Sequence, residues 1–301
     1  MKKGFLLTAI GAVCWAFSGA CGQFLFDNKN VDENWLIVIR MFSASILIIS
    51  LNFIKLKKDS FKIFKNKKDI IDLLAFSFLG IALCQSTYLK AISNSNAATA
   101  TVIQYLGPVF IIIYVCIKYM KLPKFQEILA ILFSLYGTFL LATGGDINTL
   151  KISKYGLILA LLSAFGLAFY TLIPINIIRK YGIMTCLGYG MFFGSILCTI
   201  LLNPFKNTPN IDLEVILGLF FIIMLGTVIA FYTYLKGVEI IGPVNASLVS
   251  CLEPVAATIF SAILGTEFIL TDILGILLII FTIAILGMTN SEPEKNKALQ
   301  N

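Results

Sequence analysis

The feature that most constrains this chain is a series of long apolar runs that recurs from its first residues to near its last. A helix needs about 20 mostly apolar residues to cross a bilayer. Ten runs have about this length: 4–26, 34–54, 70–91, 96–117, 125–143, 155–178, 184–203, 213–235, 243–264 and 271–289. A transmembrane β-barrel would instead alternate apolar and polar residues. We therefore predict an all-α membrane protein with ten transmembrane helices and no separate soluble domain.

The composition excludes several classes of function. Apolar residues make up 58% of the 301 residues and charged residues 13%, whereas a soluble domain has about 25% charged residues. The net charge of +7 comes mostly from lysines in short gaps between the apolar runs, so we expect no nucleic acid partner. The chain has no histidine, which excludes His-ligated metal sites, His-based nucleophiles and histidine proton relays.

The remaining residues do not suggest an enzyme either. The seven cysteines are odd in number and scattered within the apolar runs, so we interpret them as packing residues and not as disulfides or metal ligands. Asp146, in Gly144-Gly145-Asp146 at the end of a run, is a faint aspartyl-type candidate that lacks a second deep aspartate. We expect no catalytic activity, no metal and no cofactor.

Positive charge is distributed unequally between the loops. When the first loop is placed outside, 17 lysines and arginines lie on the cytoplasmic side and five on the opposite side. Cytoplasmic loops of membrane proteins carry such an excess. We therefore predict a multi-pass protein of the cytoplasmic membrane with both termini in the cytoplasm. The segment 55–69 is then a basic cytoplasmic linker, expected to set orientation and to contact anionic lipid.

The two halves of the chain resemble each other. Tyr88-Leu89-Lys90 recurs at 234–236, and Pro108-Val109 recurs at 254–255 with the same separation. We divide the chain into a first five-helix repeat, a second five-helix repeat and a cytoplasmic tail, at residues 1–150, 151–290 and 291–301. Because five is odd, the second repeat enters the membrane from the other side. Inverted repeats around a central cavity are typical of secondary transporters, which bind substrate near the midplane and work by alternating access.

Glu253 and Arg40 lie several residues inside their apolar runs, where a charge is costly unless it faces a cavity or another helix. Glu253 is the only acid near the middle of a run. Three roles are open to it: binding a substrate amine, exchanging a proton, or hydrogen bonding at a helix break made by Pro254. Arg40 lies in the outer third of the second run. We expect it to anchor at the interface, with binding of a substrate carboxylate as the alternative.

Helical spacing groups polar and aromatic side chains on faces that we expect to line the cavity. Small residues on such faces often mark helix packing only, but here large polar or aromatic groups accompany them. Pro108 and Pro254 would free backbone carbonyls toward the cavity. Glu253 is also the candidate for coupling transport to a gradient. The predicted substrate-binding residues are Trp15, Phe17, Ser18, Gln85, Tyr88, Thr101, Gln104, Tyr105, Phe169, Tyr170, Tyr234, Ser250 and Glu253.

Several short motifs, taken in order, resemble a known family. They are Trp15-Ala16-Phe17-Ser18, Arg40, Tyr88-Leu89-Lys90-Ala91, Leu252-Glu253-Pro254-Val255 and Leu264-Gly265-Thr266-Glu267. Their order across residues 4–289 is similar to that of EamA-type members of the drug/metabolite transporter superfamily. The resemblance implies that the first four spans of each half surround the cavity and that the fifth and tenth pack outside it. It also implies export of amino acids or related metabolites, with import or exchange in some members.

The first half departs from the family pattern. Gly107 and Lys121 stand where the second half has Glu253 and Glu267, so a mechanism with paired acids is not expected. The resulting hypothesis is a secondary transporter for a small polar or zwitterionic metabolite, preferably an amino acid, and preferably an exporter. A flippase for lipids or lipid-linked precursors is the alternative, whereas a channel would be expected to show a filter-like loop or rings of charge. The expected partners are the small-molecule substrate and the lipid bilayer, and the expected assembly is a monomer or weak homodimer.

Overall fold

The computed structural model describes residues 1–95, 97–150, 153–263 and 269–289. These residues form helices and no β-strand, and ten helical segments are long and apolar enough to cross a membrane. We call them the first to tenth spans: Lys2–Lys29, Glu33–Lys65, Lys67–Ile92, Thr99–Tyr119, Phe125–Thr143, Lys154–Tyr181, Ile183–Leu202, Leu213–Ile241, Pro243–Phe260 and Leu270–Gly287. The prediction of an all-α chain with ten spanning helices is confirmed. The tail at 291–301 and the motif at 264–267 lie outside the described residues.

Polar side chains determine where several spans begin. Asp32, Asn66, Ser153 and Asp212 each accept hydrogen bonds from backbone N–H groups in the first turn of the following helix, which would otherwise lack acceptors. Asp212 also accepts a hydrogen bond from Lys29 at 2.8 Å, and this contact holds the pKa of its carboxyl below the usual range. The end of the first span is thereby tied to the start of the eighth.

The basic linker, whose first part ends the second span, is not an open loop. Lys57–Lys65 forms a 3-10 helix in which Ser60 and Ile63 are buried while its lysines stay exposed. The Ser60 hydroxyl accepts a hydrogen bond from the Asn52 side chain at 3.3 Å and lies 3.1 Å from the hydroxyl of Tyr189. The linker therefore packs against the helix that precedes it and against the seventh span, and its lysines face outward together with Asp59 and Phe61.

Four spans change their helical geometry near the middle, in two equivalent pairs. The third and eighth spans each contain a π-helical segment, Phe76–Ala82 and Met224–Ile229. The fourth and ninth spans are each broken into two helices, just before Pro108 and Pro254. The helices on either side of these breaks are Ala97–Gln104 and Gly107–Tyr119 in the fourth span, and Pro243–Val249 and Leu252–Ile263 in the ninth.

The packing pairs follow the duplication: replacing each span by its counterpart in the other half gives the same set of pairs. The first span packs on the eighth and the third on the sixth, while the second packs on the seventh. The fifth and tenth spans pack on each other at a close crossing, where a Cβ on Gly137 would lie 3.0 Å from the carbonyl oxygen of Gly275. This pairing is what a duplicated chain requires. The inverted orientation of the second half stays a prediction.

Glycines allow the closest helix crossings at the two π-helical segments. A Cβ on Gly80 would lie 2.9 Å from the Cα of Tyr170, and a Cβ on Gly226 would lie 2.1 Å from the Cβ of Ser18. In the sequence alignment of the halves, Gly226 corresponds to Gly80 and Tyr170 to Ser18. The same contact therefore occurs twice, once between the third and sixth spans and once between the eighth and first.

Gly166 offers a test of these crossings. A Cβ on Gly166 would lie 2.6 Å from the backbone nitrogen of Cys84, so Gly166→Ala forces the sixth and third spans apart. We expect this substitution to destabilise the purified protein by about 1–3 kcal/mol, as overpacking generally does. Gly287→Ala, where no described atom of another helix lies within 4 Å of the added Cβ, is the matched control. Equal thermal midpoints for the two variants would contradict the close crossing.

Candidate functional site

A cavity of about 680 Å³ lies between the two halves of the chain. Pockets for small organic ligands usually measure about 300–1,000 Å³. Every span except the seventh contributes described residues to its wall. The broken fourth and ninth spans contribute Tyr105, Ser250 and Glu253 to it, near the middle of the bundle. The cavity therefore has the size and the central position expected of a binding site for a small molecule.

The cavity extends from the middle of the spans toward one end only. In the first span its wall begins at Trp15 and reaches Asp27, in the C-terminal half, whereas the second span contributes Leu36 and Arg40 near its N-terminal end. Because consecutive spans run in opposite directions, these two ends lie on the same side. Gln23 and Asp27 are exposed there. The cavity thus opens on the side opposite the N-terminus.

The other end of the bundle is closed by packing. A Cβ on Gly4 would lie 2.6 Å from the side chain of Ile241, which shows how tightly the first and eighth spans meet. At the same end, Asp69 of the third span accepts a hydrogen bond from Lys180 and another, at 2.6 Å, from the hydroxyl of Tyr181 in the sixth span. These contacts close the side that holds the N-terminus.

Most of the predicted substrate-binding residues face this cavity. Successive residues of a helix point about 100° apart, so a residue next to a lining residue can face another helix. Three predicted residues do not line the cavity. Phe17 packs edge-on against Phe221 and Phe260. Phe169 is 37% exposed, and Tyr234 is fully buried outside the wall. The predicted residues that do line the cavity are Trp15, Ser18, Gln85, Tyr88, Thr101, Gln104, Tyr105, Tyr170, Ser250 and Glu253.

The breaks in the fourth and ninth spans meet through Tyr105. Its hydroxyl lies 3.0 Å from Oε2 of Glu253 and 3.1 Å from the carbonyl oxygen of Ser250. Pro254 has no N–H, so this carbonyl lacks the donor four residues on and accepts instead from the backbone N–H of Glu253 at 2.9 Å. Because a phenol carries one proton, Tyr105 donates to only one of the two oxygens at a time. The hydrogen bonding between the two breaks therefore depends on whether Glu253 is protonated.

Neutral polar groups of the third and fourth spans form another part of the wall. The hydroxyls of Tyr88 and Thr101 lie 2.9 Å apart, and the side-chain amide of Gln104 lies 3.8 Å from Sγ of Cys84. All four residues line the cavity. They supply hydrogen-bonding groups to a ligand without adding formal charge.

Aromatic rings form a further part of the wall. The rings of Trp15 and Tyr170 each pack edge-on against Phe231, with centroids 5.2 Å and 5.3 Å apart. Tyr234 lies behind these rings, stacks on Tyr170, and has its hydroxyl 2.8 Å from that of Thr171. Tyr234 therefore supports the aromatic wall from outside, while the other rings offer apolar surface to a ligand.

Arg40 lies in the cavity wall, in the N-terminal part of the second span. Its Nη2 donates a hydrogen bond to Oε1 of Gln85 in the third span, and its Nε is buried without a hydrogen-bond partner. The guanidinium turns inward because Gln85 offers it an acceptor inside the cavity. This direction is the one that the alternative role, binding of a substrate carboxylate, requires, and anchoring at the interface stays a prediction.

Other lining residues were missed by sequence reasoning. Gln23 and Asp27 follow Gly19 at the helical spacing of four, a signal that lies at the end of the apolar run. Phe231 comes after a π-helical segment, which turns the following helical face by the extra residue it inserts. The missed residues include Gln23, Asp27, Leu36, Cys84, Phe231 and Asp272.

Comparisons with known proteins agree with this geometry. The chain is 37% identical over 292 residues to a protein of Salmonella typhimurium named "Uncharacterized inner membrane transporter YicL", and the match covers 95% of this chain and 96% of that protein. It is 24% identical over 316 residues to an "Uncharacterized transporter" of Clostridium kluyveri, covering 100% of this chain and 98% of that protein. One solved crystal structure has the same fold, with a TM-score of 0.79, 14% identity, and coverage of 96% of this chain and 98% of the other.

The family assignment rests on a match that occurs twice. The chain matches the EamA-like transporter family over residues 2–143 and again over residues 154–288. The described residues include ten helices long and apolar enough to span a membrane, and nine of them contribute to the wall of a cavity of metabolite size. This chain is a multi-pass membrane transporter and belongs to the EamA-like transporter family.

Proposed function

We propose that this protein is a secondary transporter that moves a small zwitterionic metabolite, preferably an amino acid with an apolar or aromatic side chain, out of the cell by alternating access. The Salmonella relative is named as an inner membrane transporter. We propose that this chain also lies in the cytoplasmic membrane. The preference for export comes from the resemblance to EamA-type exporters described above.

The observation that carries this proposal is the composition of the cavity wall. Glu253, in the inner part of the wall, can face a substrate ammonium, and the hydroxyl of Tyr105 lies 3.0 Å from its carboxyl. Trp15, Tyr170 and Phe231 provide an aromatic surface nearby. A site with a few placed polar groups on a mostly apolar wall is typical of small-molecule binding. An amino acid with an apolar side chain satisfies both parts of this wall.

The closed and open ends of the bundle support alternating access. With both termini in the cytoplasm, the open end of the cavity faces outward and the end closed at Gly4 and Asp69 faces inward. Transport requires a second state in which the closed end opens. Equivalent spans pack in the same way in the two halves. The contacts that close the inner end can therefore be exchanged for equivalent contacts that close the outer end.

The proposed orientation has a direct test. In a cysteine-free background, we expect Lys58→Cys, in the exposed part of the basic linker, to resist an impermeant thiol reagent added to intact cells. Thr208→Cys, exposed between the seventh and eighth spans, is the matched control and should be labelled from outside. Labelling of Lys58→Cys in intact cells, with protection of Thr208→Cys, would show that the orientation is the opposite of the proposed one.

A binding screen tests the proposed substrate class against the flippase alternative. We expect the detergent-purified protein to be stabilised thermally by at least one amino acid, because a ligand that binds only the folded state raises stability. Soluble lipid head groups, such as phosphoethanolamine and glycerol phosphate, serve as the competing panel. Stabilisation by head groups and by no amino acid would overturn the proposal in favour of a flippase.

A further inference from the structure

We propose that Arg40 and Gln85 form the carboxylate-binding half of the cavity, so that the substrate is held with its carboxylate on Arg40 and its ammonium at Glu253. This inference rests on the proposed function and deepens it. It assigns Arg40 as a specificity-determining residue that distinguishes a zwitterion from a simple amine or a simple acid.

The first argument is the unfilled hydrogen-bonding capacity of Arg40. A guanidinium has five N–H donors. Here Nη2 donates to Gln85, while Nε is buried and has no partner. A buried donor without an acceptor costs free energy. A carboxylate is the natural acceptor, because its two oxygens match two parallel N–H groups of arginine.

The second argument is the missing counter-charge. The ion pairs among the described residues join Lys29 to Asp212 and Glu214, Lys62 to Asp59, Lys180 to Asp69, and Lys236 to Glu239. None of them includes Arg40. A charge inside a spanning bundle is costly unless it is paired or faces a cavity. Arg40 faces the cavity, so a ligand that enters can provide the missing anion.

The third argument is the pattern of charge along the cavity. Asp27 and Asp272 lie at its mouth, where Asp27 is exposed and Asp272 accepts the backbone N–H of Ile269 at 3.0 Å. Farther inside, Arg40 and Glu253 are the charged side chains among the described lining residues. One cation and one acid on separate elements fit a ligand with one charge of each sign. A dianion would meet the carboxyl of Glu253, and a dication would meet Arg40.

The test begins with the wild-type protein and a matched set of ligands. Binding of each proteinogenic amino acid to the purified protein is measured, and the tightest binder is compared with its α-amide and its N-acetyl form. The amide lacks the carboxylate charge and the N-acetyl form lacks the ammonium. We expect both to bind about 10- to 100-fold more weakly than the amino acid, the range expected for a lost hydrogen bond to a charged group.

The variants then assign the carboxylate contact to Arg40. We expect Arg40→Gln to weaken binding of the amino acid about 10- to 100-fold and to leave binding of its amide unchanged. Arg40→Lys keeps the charge but loses the planar fork, so we expect an intermediate loss. Arg179→Gln, an exposed arginine outside the cavity, is the matched control and should bind as the wild type does.

The outcomes separate this inference from the proposed function. Binding of no amino acid would overturn both. An amino acid that binds no more tightly than its amide, or an Arg40→Gln variant that binds acid and amide with equally reduced affinity, would overturn the role of Arg40 and leave amino acid transport standing. If Arg40→Gln fails to fold, Arg40→Lys supports the assignment by binding the amino acid more weakly than the wild type and its amide equally well, and equal loss of both ligands overturns it.

Discussion

Glu253→Gln is expected to weaken binding of the transported zwitterion by about 10- to 100-fold, since a hydrogen bond to a charged group contributes about 1.5–3 kcal/mol. The amide keeps the shape and hydrogen-bonding capacity of the carboxyl but cannot ionise. It can still accept a hydrogen bond from Tyr105, which lies 3.0 Å from the carboxyl. Dissociation constants and initial transport rates in proteoliposomes, measured across a range of pH gradients, provide the comparison.

The same variant separates the three roles open to Glu253. Weaker binding of amine-bearing substrates identifies an ammonium contact, whereas loss of dependence on the pH gradient with binding retained identifies proton exchange. Glu33→Gln, in the first turn of the second span and outside the cavity wall, is the control and should transport normally. Wild-type kinetics in Glu253→Gln, together with a lowered thermal midpoint in Glu253→Ala, would leave Glu253 a structural role at the helix break.

Ala257→Trp is expected to reduce transport to the level of protein-free liposomes. Ala257 lines the cavity one helical turn after Glu253, so an indole ring at this position occupies space that the substrate needs. Ile259 lies on the same helix, is 43% exposed and does not line the cavity. Ile259→Trp is therefore the matched control and should remain active.

Both tryptophan variants must be folded for this comparison, which monodispersity and thermal midpoint in detergent establish. Near-wild-type transport by Ala257→Trp would show that the substrate does not pass through this cavity. Equal inactivity of Ile259→Trp would show that the effect comes from the helix and not from the cavity.

The spans were predictable because the thickness of a bilayer demands a long apolar run for each helix. Glu253 was predictable as well, because an acid so deep in such a run requires a cavity or a partner. The close contact of Ser18 with a glycine of the eighth span, and of Tyr170 with a glycine of the third span, was not predictable. A sequence repeat shows that two segments are equivalent, but it does not show which helix each one crosses.

Helix rotation accounts for much of what the sequence left undetermined. Phe17 and Phe169 are aromatic and lie next to lining residues, yet they face other helices or the outer surface. The π-helical segments add a residue to a turn, so the face that follows them departs from regular helical spacing. The direction of the Arg40 side chain was open for a different reason: its length allows both an interfacial and an inward position, and the hydrogen bond to Gln85 shows that it turns inward.

Counterflow in proteoliposomes tests most directly the central claim that a small zwitterion crosses the membrane through this cavity. Purified protein is reconstituted into liposomes loaded with an unlabelled amino acid, and uptake of a trace of the same labelled amino acid is followed, for each proteinogenic amino acid in turn. The account predicts transient accumulation above equilibrium for at least one amino acid, and none in protein-free liposomes or with Ala257→Trp. Absence of accumulation for every amino acid, with movement of labelled lipid between the leaflets, would contradict it.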